Sequence, residues 1–425
     1  LRTGEVPGLW EEGRGGMAAL EGLTGKRFGL GEGKAPPLLV SVRSGAPVSM
    51  PGMMDTVLNL GLTLEGVEAL ARATGTPRFA WDSLRRLLAM YGEVVLGERP
   101  EVFEGMLSAL KAERGVGTDA ALGPEDLEEL AYRYLRHLEA RGTPFPLDPW
   151  AQLQGAIEAV FKSWQNPRAR TYRRIYGIPE DLGTAVVVQA MVFGNLGEDS
   201  GTGVGFTRNP ATGEKGLYGE YLRNAQGEDV VAGVRTPEPL ERLKGYAPGL
   251  YEELLQVAER LERHFRDMQD FEFTVERGRL FLLQTRAGKR TAQAAVRIAV
   301  EMAEEGLISR EEAVMRVEAN ALPGLLRPSV DRDQAPRPLL KGLPASPGAA
   351  VGHAAFTNEA VERFHAQGLP AVLVRPETTP EDITGMYLAK GILTARGGLT
   401  SHAAGVARGL GVPAVVGAEA LRVFP

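Results

Sequence analysis

The sequence of 425 residues has no cysteine, no long apolar run and no strongly basic segment. Without cysteine there are no disulfides, no thiolate metal sites and no cysteine nucleophile. The longest apolar stretch, 184–193, falls far short of the ~18 residues that a membrane helix requires, and a secretory leader is not expected. Lys and Arg number 48 against 54 Asp and Glu, a net charge of −6, so binding a nucleic acid by phosphate neutralisation is not expected. A soluble cytoplasmic protein with no membrane partner is the expectation. Only nine of the basic residues are Lys; dominance of Arg with no Cys fits a thermophile, and a biased genome composition produces the same pattern.

Glycine and proline are abundant, 53 and 28 residues, about a fifth of the chain and below the ~25–30 % of low-complexity sequence. Such a composition suits many loops that approach a ligand by backbone. The length allows two to four domains at ~100–200 residues each. The chain opens on Leu1 and closes on Leu421-Arg422-Val423-Phe424-Pro425 in mid-pattern, so a piece of a longer protein is expected.

The first 35 residues are glycine-rich and show no clear periodicity. Residues 37–43 form an apolar β-type run, and from Thr63 to about Tyr176 apolar residues recur at helical spacing. Asp148-Pro149 and Asn166-Pro167 each pair an N-cap type with proline at the first helical position. Residues 184–194 read as a buried strand, 239–266 as a long helix interrupted near Pro248, and 271–275 with 280–285 as a hairpin. Ser309 with Glu312 reads as a capping box. The polar, proline-rich stretch 327–338 reads as a linker. Beyond it, 343–417 alternates short strands with glycine turns and one short helix.

Several segments carry polar groups suited to phosphate. Arg43 ends the first strand beside a glycine turn, where a guanidinium either binds phosphate bidentately or is an ordinary surface arginine. The methionine-rich loop after it is either a packed loop or a lid. Gly194–Gly205 has the backbone for a phosphate cradle but lacks the Lys-Ser/Thr of a P-loop. In the hairpin, Asp270 and Glu272, and likewise Gln284 and Arg286, share a face because side chains two apart in a strand point the same way. A three-residue Glu276-Arg277-Gly278 loop is expected, which sets Asp270 opposite Gln284. Two carboxylates, an amide and a guanidinium on one face suit Mg²⁺ and nucleotide phosphates, or form a solvated polar face. His402 follows Gly397-Gly398 and is expected in the first turn of a helix capped by Thr400, where the N–H groups favour a phosphoryl group. A nucleophilic histidine there would split one displacement into two. His137, His264, His353 and His365 read as packing or capping residues.

Four blocks, SVRSGAPVSMPGMMDTVLNLGL, the segment QAMVFGNLGEDSGTGVGFTRNPATGEKGLYGEYLRNAQGEDVVAGVRTP, DMQDFEFTVERGRLFLLQTRAGKRTAQAA and LTARGGLTSHAA, together resemble the pyruvate, phosphate dikinase family of PEP-utilising enzymes. The resemblance runs from about residue 36 to the end. It implies an α/β multidomain fold: an ATP-grasp nucleotide-binding domain over 1–326 with a helical insert at about 63–146, the hairpin at 268–287 and a helical connector at 290–326. A linker at 327–340 then leads to a swivelling β/β/α phosphohistidine domain over 341–425, incomplete here. It implies conversion of ATP, phosphate and pyruvate to AMP, pyrophosphate and phosphoenolpyruvate, with Mg²⁺ and a monovalent cation (NH₄⁺ or K⁺), and a homodimer formed through a (β/α)₈ barrel that is absent from this sequence. The piece alone is therefore not expected to complete the reaction.

Residue by residue, the resemblance makes His402 the phosphoryl carrier and Arg43 and Arg86 phosphate ligands. It puts Asp270 and Glu272 at the metal, Gln284 and Arg286 at the nucleotide, and Gly203 in the loop over the phosphates. Glu220 and Glu228 take the matching acidic positions, Gln189 and Met191 lie by the adenine, and Thr400 matches a threonine that plant members phosphorylate for regulation. The Gly-Lys-Gly segment with its nucleotide-binding lysine is absent, and Gly405 replaces an aliphatic residue, which should loosen its helix by about 0.5–1 kcal/mol. The alternatives are phosphoenolpyruvate synthase, in which water takes the second phosphoryl, and a non-catalytic phosphocarrier. The MPGMMDTVLNLG run favours the dikinase over the synthase, and the intact Asp270, Glu272, Arg286 and His402 set speaks against a non-catalytic protein.

Overall fold

A computed structural model describes residues 6–31, 35–231, 235–326, 330 and 335–424. The chain divides into two compact units, 1–191 and 192–425.

In the first unit, α1 (Leu9–Thr24) falls in the stretch where no periodicity was legible. Strand β1 (Val40–Gly45) lies between β2 (Val57–Leu60) and β3 (Ala185–Ala190), antiparallel to both. Helices α2 (Leu64–Thr74), α3 (Pro77–Val94), α4 (Pro100–Arg114), α5 (Pro124–Ala140), α6 (Pro149–Ser163) and α7 (Pro167–Tyr176) fill the expected helical region. Asp148 caps α6 by accepting from the N–H groups of Trp150 and Ala151. Asn166 does not cap α7 in this way; its side-chain amide donates to Asp55 Oδ2 at 3.2 Å instead. Strand β3 is not the buried strand expected. It sits at the sheet edge, its exposure alternates, and Val187 is 47 % exposed. Met53 is fully buried, and Met50 and Met54 nearly so, so the methionine loop is packed rather than poised as a lid.

A charged triad is buried within α3. Asp82, Arg85 and Arg86 stand at i, i+3 and i+4, the spacing that brings side chains together on a helix. Arg85 donates from Nε and Nη2 to Asp82 Oδ1 at 2.9 and 2.6 Å, and Arg86 donates from Nε to Oδ2 at 3.0 Å. Burial alone would raise the Asp82 carboxyl, but Arg85, Arg86 and Arg78 outweigh it and bring it down to about 2.

In the second unit, β4 (Gly201–Arg208), β5 (Lys215–Arg223), β6 (Glu238–Pro239), β7 (Gln269–Glu276) and β8 (Arg279–Ala287) form an antiparallel sheet in the order β6-β5-β4-β7-β8. Between them in sequence lie α8 (Gly227–Val231), α9 (Leu243–Tyr246) and α10 (Pro248–Phe265); the last two follow the expected helix interrupted at Pro248. The central strand β4 is buried at every position. On one face, Gly201, Gly203 and Gly205 lie beneath Tyr221, Phe273 and Phe271, with the built Cβ positions only 2.3–2.5 Å from those rings, so any side chain there would clash. Helix α10 covers this face through Leu254 and Ala258, which join Phe271, Phe273 and Val275 in one core. At the far end of β4, fully buried Arg208 pairs with Glu262, Glu301 and Glu305 at 2.7, 2.9 and 3.1 Å. The connector is helical as expected, with α11 (Ala292–Glu304) and α12 (Arg310–Arg316), the latter opened by the Ser309–Glu312 capping box.

A second sheet follows, built from β9 (Leu343–Ser346), β10 (His353–Ala355), β11 (Ala371–Arg375), β12 (Gly391–Thr394) and β13 (Ala414–Val416) in the order β10-β11-β12-β13-β9. The run β10 to β13 is parallel and β9 joins antiparallel. Parallel neighbours need crossovers, and α13 (Asn358–Ala366), α14 (Ile383–Leu388) and α15 (His402–Leu410) supply them, where the sequence suggested a single helix. The linker expected at 327–340 lies partly outside the described residues, which omit 327–329 and 331–334.

The triad on α3 predicts a pH dependence. The Asp82 carboxyl is lowered from 3.8 to about 2 on folding, so its contribution is complete above pH 3.8 and is lost as the pH falls through about 2. A shift of that size corresponds to about 2 kcal/mol. The unfolding free energies of the protein and its Asp82→Asn variant, from urea titrations, should differ by a constant amount above about pH 5, narrow below it and converge toward pH 2. A gap independent of pH would show that the charge of Asp82 contributes nothing to stability.

Candidate functional site

The polar residues singled out in the hairpin gather on one face of the first sheet of the second unit. Val204 of β4 pairs with Glu220 of β5 on one side and Glu272 of β7 on the other, and Glu272 pairs with Gln284 of β8. Paired residues point to the same face, so Glu220, Val204, Glu272 and Gln284 form one row across four strands. The next row is Phe206, Asp270 and Arg286. The hairpin register differs from expectation: Asp270 stands opposite Arg286, not Gln284. The turn holds two residues, Arg277 and Gly278, both at positive φ (48° and 79°), as a type I′ turn requires. A bulge at Leu283 then adds one residue to β8 and returns Gln284 and Arg286 to the face of the carboxylates.

Arg286 ties this face together, with Nε 2.9 Å from Asp270 Oδ1 and Nη2 3.2 Å from Glu272 Oε1. Burial pushes the Asp270 carboxyl up, and Arg286 offsets the rise only in part. Lys289 lies near this pair; burial lowers its ammonium and Asp270 opposes that change. Two carboxylates and an amide oxygen are hard donors of the kind Mg²⁺ takes, and Mg²⁺ is commonly held by one or two carboxylates together with substrate phosphates. No group of three or more His, Cys, Asp or Glu among the described residues would cage a metal alone. The donor set therefore fits a metal shared with a nucleotide.

Gly203, expected in a loop over phosphates, lies within β4, beneath the Phe273 ring. Glu228 lies in α8, and its side chain is outside the described residues.

His402 is the first residue of α15, and the cap is Ser401, whose hydroxyl accepts from the Ala404 N–H; Thr400 does not cap the helix. Thr400 turns instead to Glu220. The Glu220 carboxylate accepts from the backbone N–H groups of Leu399 and Thr400 and, at 2.6 Å, from the Thr400 hydroxyl. Burial raises the Glu220 carboxyl and these three donors oppose the rise. His402 itself is buried, with Nδ1 3.1 Å from the Thr378 hydroxyl. Arg408, two turns on in α15, donates from Nη1 to the Leu399 carbonyl at 2.8 Å and to Ala345 O at 3.4 Å. Complete burial takes its guanidinium down to about 10. Gly405 meets nothing within 4 Å of its built Cβ, so a larger residue fits there.

The remaining candidates belong to the first unit. Arg43 of β1 reaches Gln189 of β3, Nη1 to Oε1 at 3.5 Å. Met191 follows β3 and donates its N–H to Leu39 O at 2.9 Å. Arg86 lies on α3, held by Asp82 as described.

Asp82, Thr378 and Arg408 did not emerge from the sequence. Asp82 had a signal, the Asp-x-x-Arg-Arg spacing on a helix. Thr378 and Arg408 had none, because only the folded chain brings each to the segment 399–402.

The contacts of Glu220 generate a prediction. Glu220→Gln replaces two charge-assisted acceptor oxygens by one neutral oxygen and an NH₂ that opposes the Thr400 donors. Amide exchange at Leu399 and Thr400 should accelerate ~10-fold, as loss of about 1.4 kcal/mol of local protection implies. Unchanged exchange, measured by NMR, would show that another contact orders this loop.

Two family models match the sequence: pyruvate phosphate dikinase, AMP/ATP-binding domain, over residues 23–245 and 250–307, and PEP-utilising enzyme, mobile domain, over 369–424. Pyruvate, phosphate dikinase from Rhizobium meliloti (strain 1021) is 54 % identical over 429 residues, covering 98 % of this chain and 47 % of the relative. That of Clostridium symbiosum is 55 % identical over 408 residues, covering 95 % and 46 %. Pyruvate, phosphate dikinase 1, chloroplastic, of Arabidopsis thaliana is 54 % identical, covering 98 % and 43 %. The chain thus spans about half the length of the curated relatives it matches. With a match over most of its length to that nucleotide-binding model and over half identity to these enzymes, the chain belongs to the pyruvate, phosphate dikinase family.

Proposed function

We propose that the chain is the nucleotide-binding and phosphohistidine part of a pyruvate, phosphate dikinase, which converts ATP, phosphate and pyruvate to AMP, pyrophosphate and phosphoenolpyruvate through a phosphoryl group carried on His402. The observation that carries this reading is the Glu220 contact. It ties the loop that presents His402 to the strand row that also holds Glu272 and Gln284, one row from Asp270 and Arg286.

The residues divide the work by their chemistry. Asp270 and Glu272, with Gln284, would hold Mg²⁺, which when bound neutralises phosphate charge. Arg286, Arg43 and Arg86 would bind phosphate oxygens, and Gln189 and Met191 would line the adenine pocket. With Nδ1 of His402 engaged by Thr378, Nε2 is the nitrogen that attacks phosphorus. A new N–P bond forms at the β-phosphorus as the α–β bridging P–O bond breaks and AMP leaves with the electron pair; the terminal phosphoryl then passes to inorganic phosphate as pyrophosphate, leaving one phosphoryl on the ring. The N–H groups at the start of α15 then face the phosphoryl oxygens.

The domain reading is part of the proposal: an ATP-grasp domain over 1–326, a linker at 327–340, and a swivelling domain from 341 that carries His402 between ATP and pyruvate. A monovalent cation, a homodimer formed outside this chain, and a cytoplasmic location complete it. Among the described residues no helix is long and apolar enough to cross a membrane. The relatives' names do not favour the synthase or the non-catalytic reading.

His402→Asn in the complete natural protein tests the proposal. The parent should take up acid-labile label from ATP carrying ³²P at the β position and form pyrophosphate only when phosphate is present. The variant should do neither, while its ATP affinity stays within about threefold of the parent, since Asn removes the nucleophile and leaves the nucleotide contacts. Label retained by the variant would assign the carrier to another residue.

A further inference from the structure

We propose that Asp82 is a positioning residue for phosphate binding, aiming the Arg86 guanidinium from behind while Arg85 fixes Asp82. The proposal rests on the reading of Arg86 as a phosphate ligand. Three observations carry it. First, the contacts run in a chain: Arg85 grips Oδ1 through both Nε and Nη2, and Oδ2 alone takes Arg86 Nε. The carboxylate cannot rotate without breaking the two Arg85 bonds, so the oxygen offered to Arg86 has a set place. Second, Asp82 and Arg85 are 4 % and 7 % exposed, whereas the side chain of Arg86 keeps 20 % of its surface. Two members of the triad are embedded in the core and the third leads outward. Third, Arg86 is held at Nε. A guanidinium is planar, so fixing Nε fixes the direction of the Nη1–Nη2 edge, the edge that matches two oxygens of a phosphoryl group.

Arg78, the other cation acting on Asp82, donates to the Leu122 and Asp119 carbonyls and so has its own structural task. Asp82 therefore pre-orders a flexible side chain whose freedom would otherwise be lost on binding.

The test is a double-mutant cycle in the complete natural protein, reading pyrophosphate formation from ATP against inorganic phosphate concentration. Arg86→Ala and Asp82→Asn should each raise KM for phosphate by ~10–100-fold, and the double variant should lose no more than Arg86→Ala alone. Losses that multiply in the double variant would show that Asp82 acts independently of Arg86 and would overturn the proposal, as would a phosphate KM for Asp82→Asn within about twofold of the parent. No effect of Arg86→Ala would instead remove the reading of Arg86 as a ligand. Should Asp82→Asn fail to fold in a thermal melt, Asp82→Glu serves in its place. It keeps the charge but moves the carboxylate by one methylene, so phosphate KM should still rise while the melt stays cooperative; an unchanged KM would overturn the proposal.

Discussion

Strand β4 is paired on both sides and buried along its whole length, and the placing of the functional groups in the second unit depends on that. Its alternation of glycine with larger residues sorts the sheet into two faces. Gly201, Gly203 and Gly205 leave space only for the rings of Tyr221, Phe273 and Phe271, so the aromatic residues and α10 are committed to one side. The polar residues singled out on the neighbouring strands lie on the other: Glu220 from β5, Asp270 and Glu272 from β7, Gln284 and Arg286 from β8. The glycines act by steric allowance rather than by cradling phosphate with their own N–H groups. A residue with a Cβ at position 203 would drive Phe273 and the Glu220 carbonyl apart, and the row of acids would shift with them.

Arginine does most of the electrostatic work, and its partners differ with burial. Arg208 is enclosed by three glutamates, Arg173 reaches Glu180, and Arg168 grips Asp55 beside the methionine loop. These are structural pairings in which removing one partner leaves a charge stranded in the core. Arg408 stands apart because its hydrogen bonds go to backbone carbonyls. Its charge acts through space on Glu220 and Asp270, opposing the upward push that burial gives both carboxyls. One guanidinium thus shapes the loop through Leu399 and steadies the acids that face it.

Much of the fold was legible because it rests on local rules. The helices of 63–176 announced themselves by period and by Pro at the first turn, and the Ser309–Glu312 box stands as written in the sequence. Errors arose where a partner distant in sequence decides. Asn166 has the right type for a cap but finds Asp55 more than a hundred residues away, and Thr400 yields the cap to Ser401 because Glu220 claims it. Strand β3 has a buried strand's composition yet lies at an edge, since apolar residues cannot tell which strands will flank them. Helices α13 and α14 are short, and a six- to nine-residue element carries too few turns to display a period. The candidate site was legible as residue types, but its assembly was not: nothing local ties Thr378 to His402 or Glu220 to Leu399.

The hairpin of β7 and β8 carries a further consequence for how this segment can change over time. Its two-residue turn and the single bulge at Leu283 are separate features that together set a parity. Either one alone would carry Gln284 and Arg286 through to the aromatic side of the sheet, because side chains alternate with a period of two. A lineage that loses the bulge while keeping all its residues must therefore widen the turn from two residues to three at the same time, or surrender the ion pairs that Arg286 makes with Asp270 and Glu272. A one-residue deletion is harmless only at the bulge itself, where loss of Leu283 still leaves Gln284 opposite Glu272 and Arg286 opposite Asp270, even though the turn lies at the surface, where length changes are ordinarily tolerated.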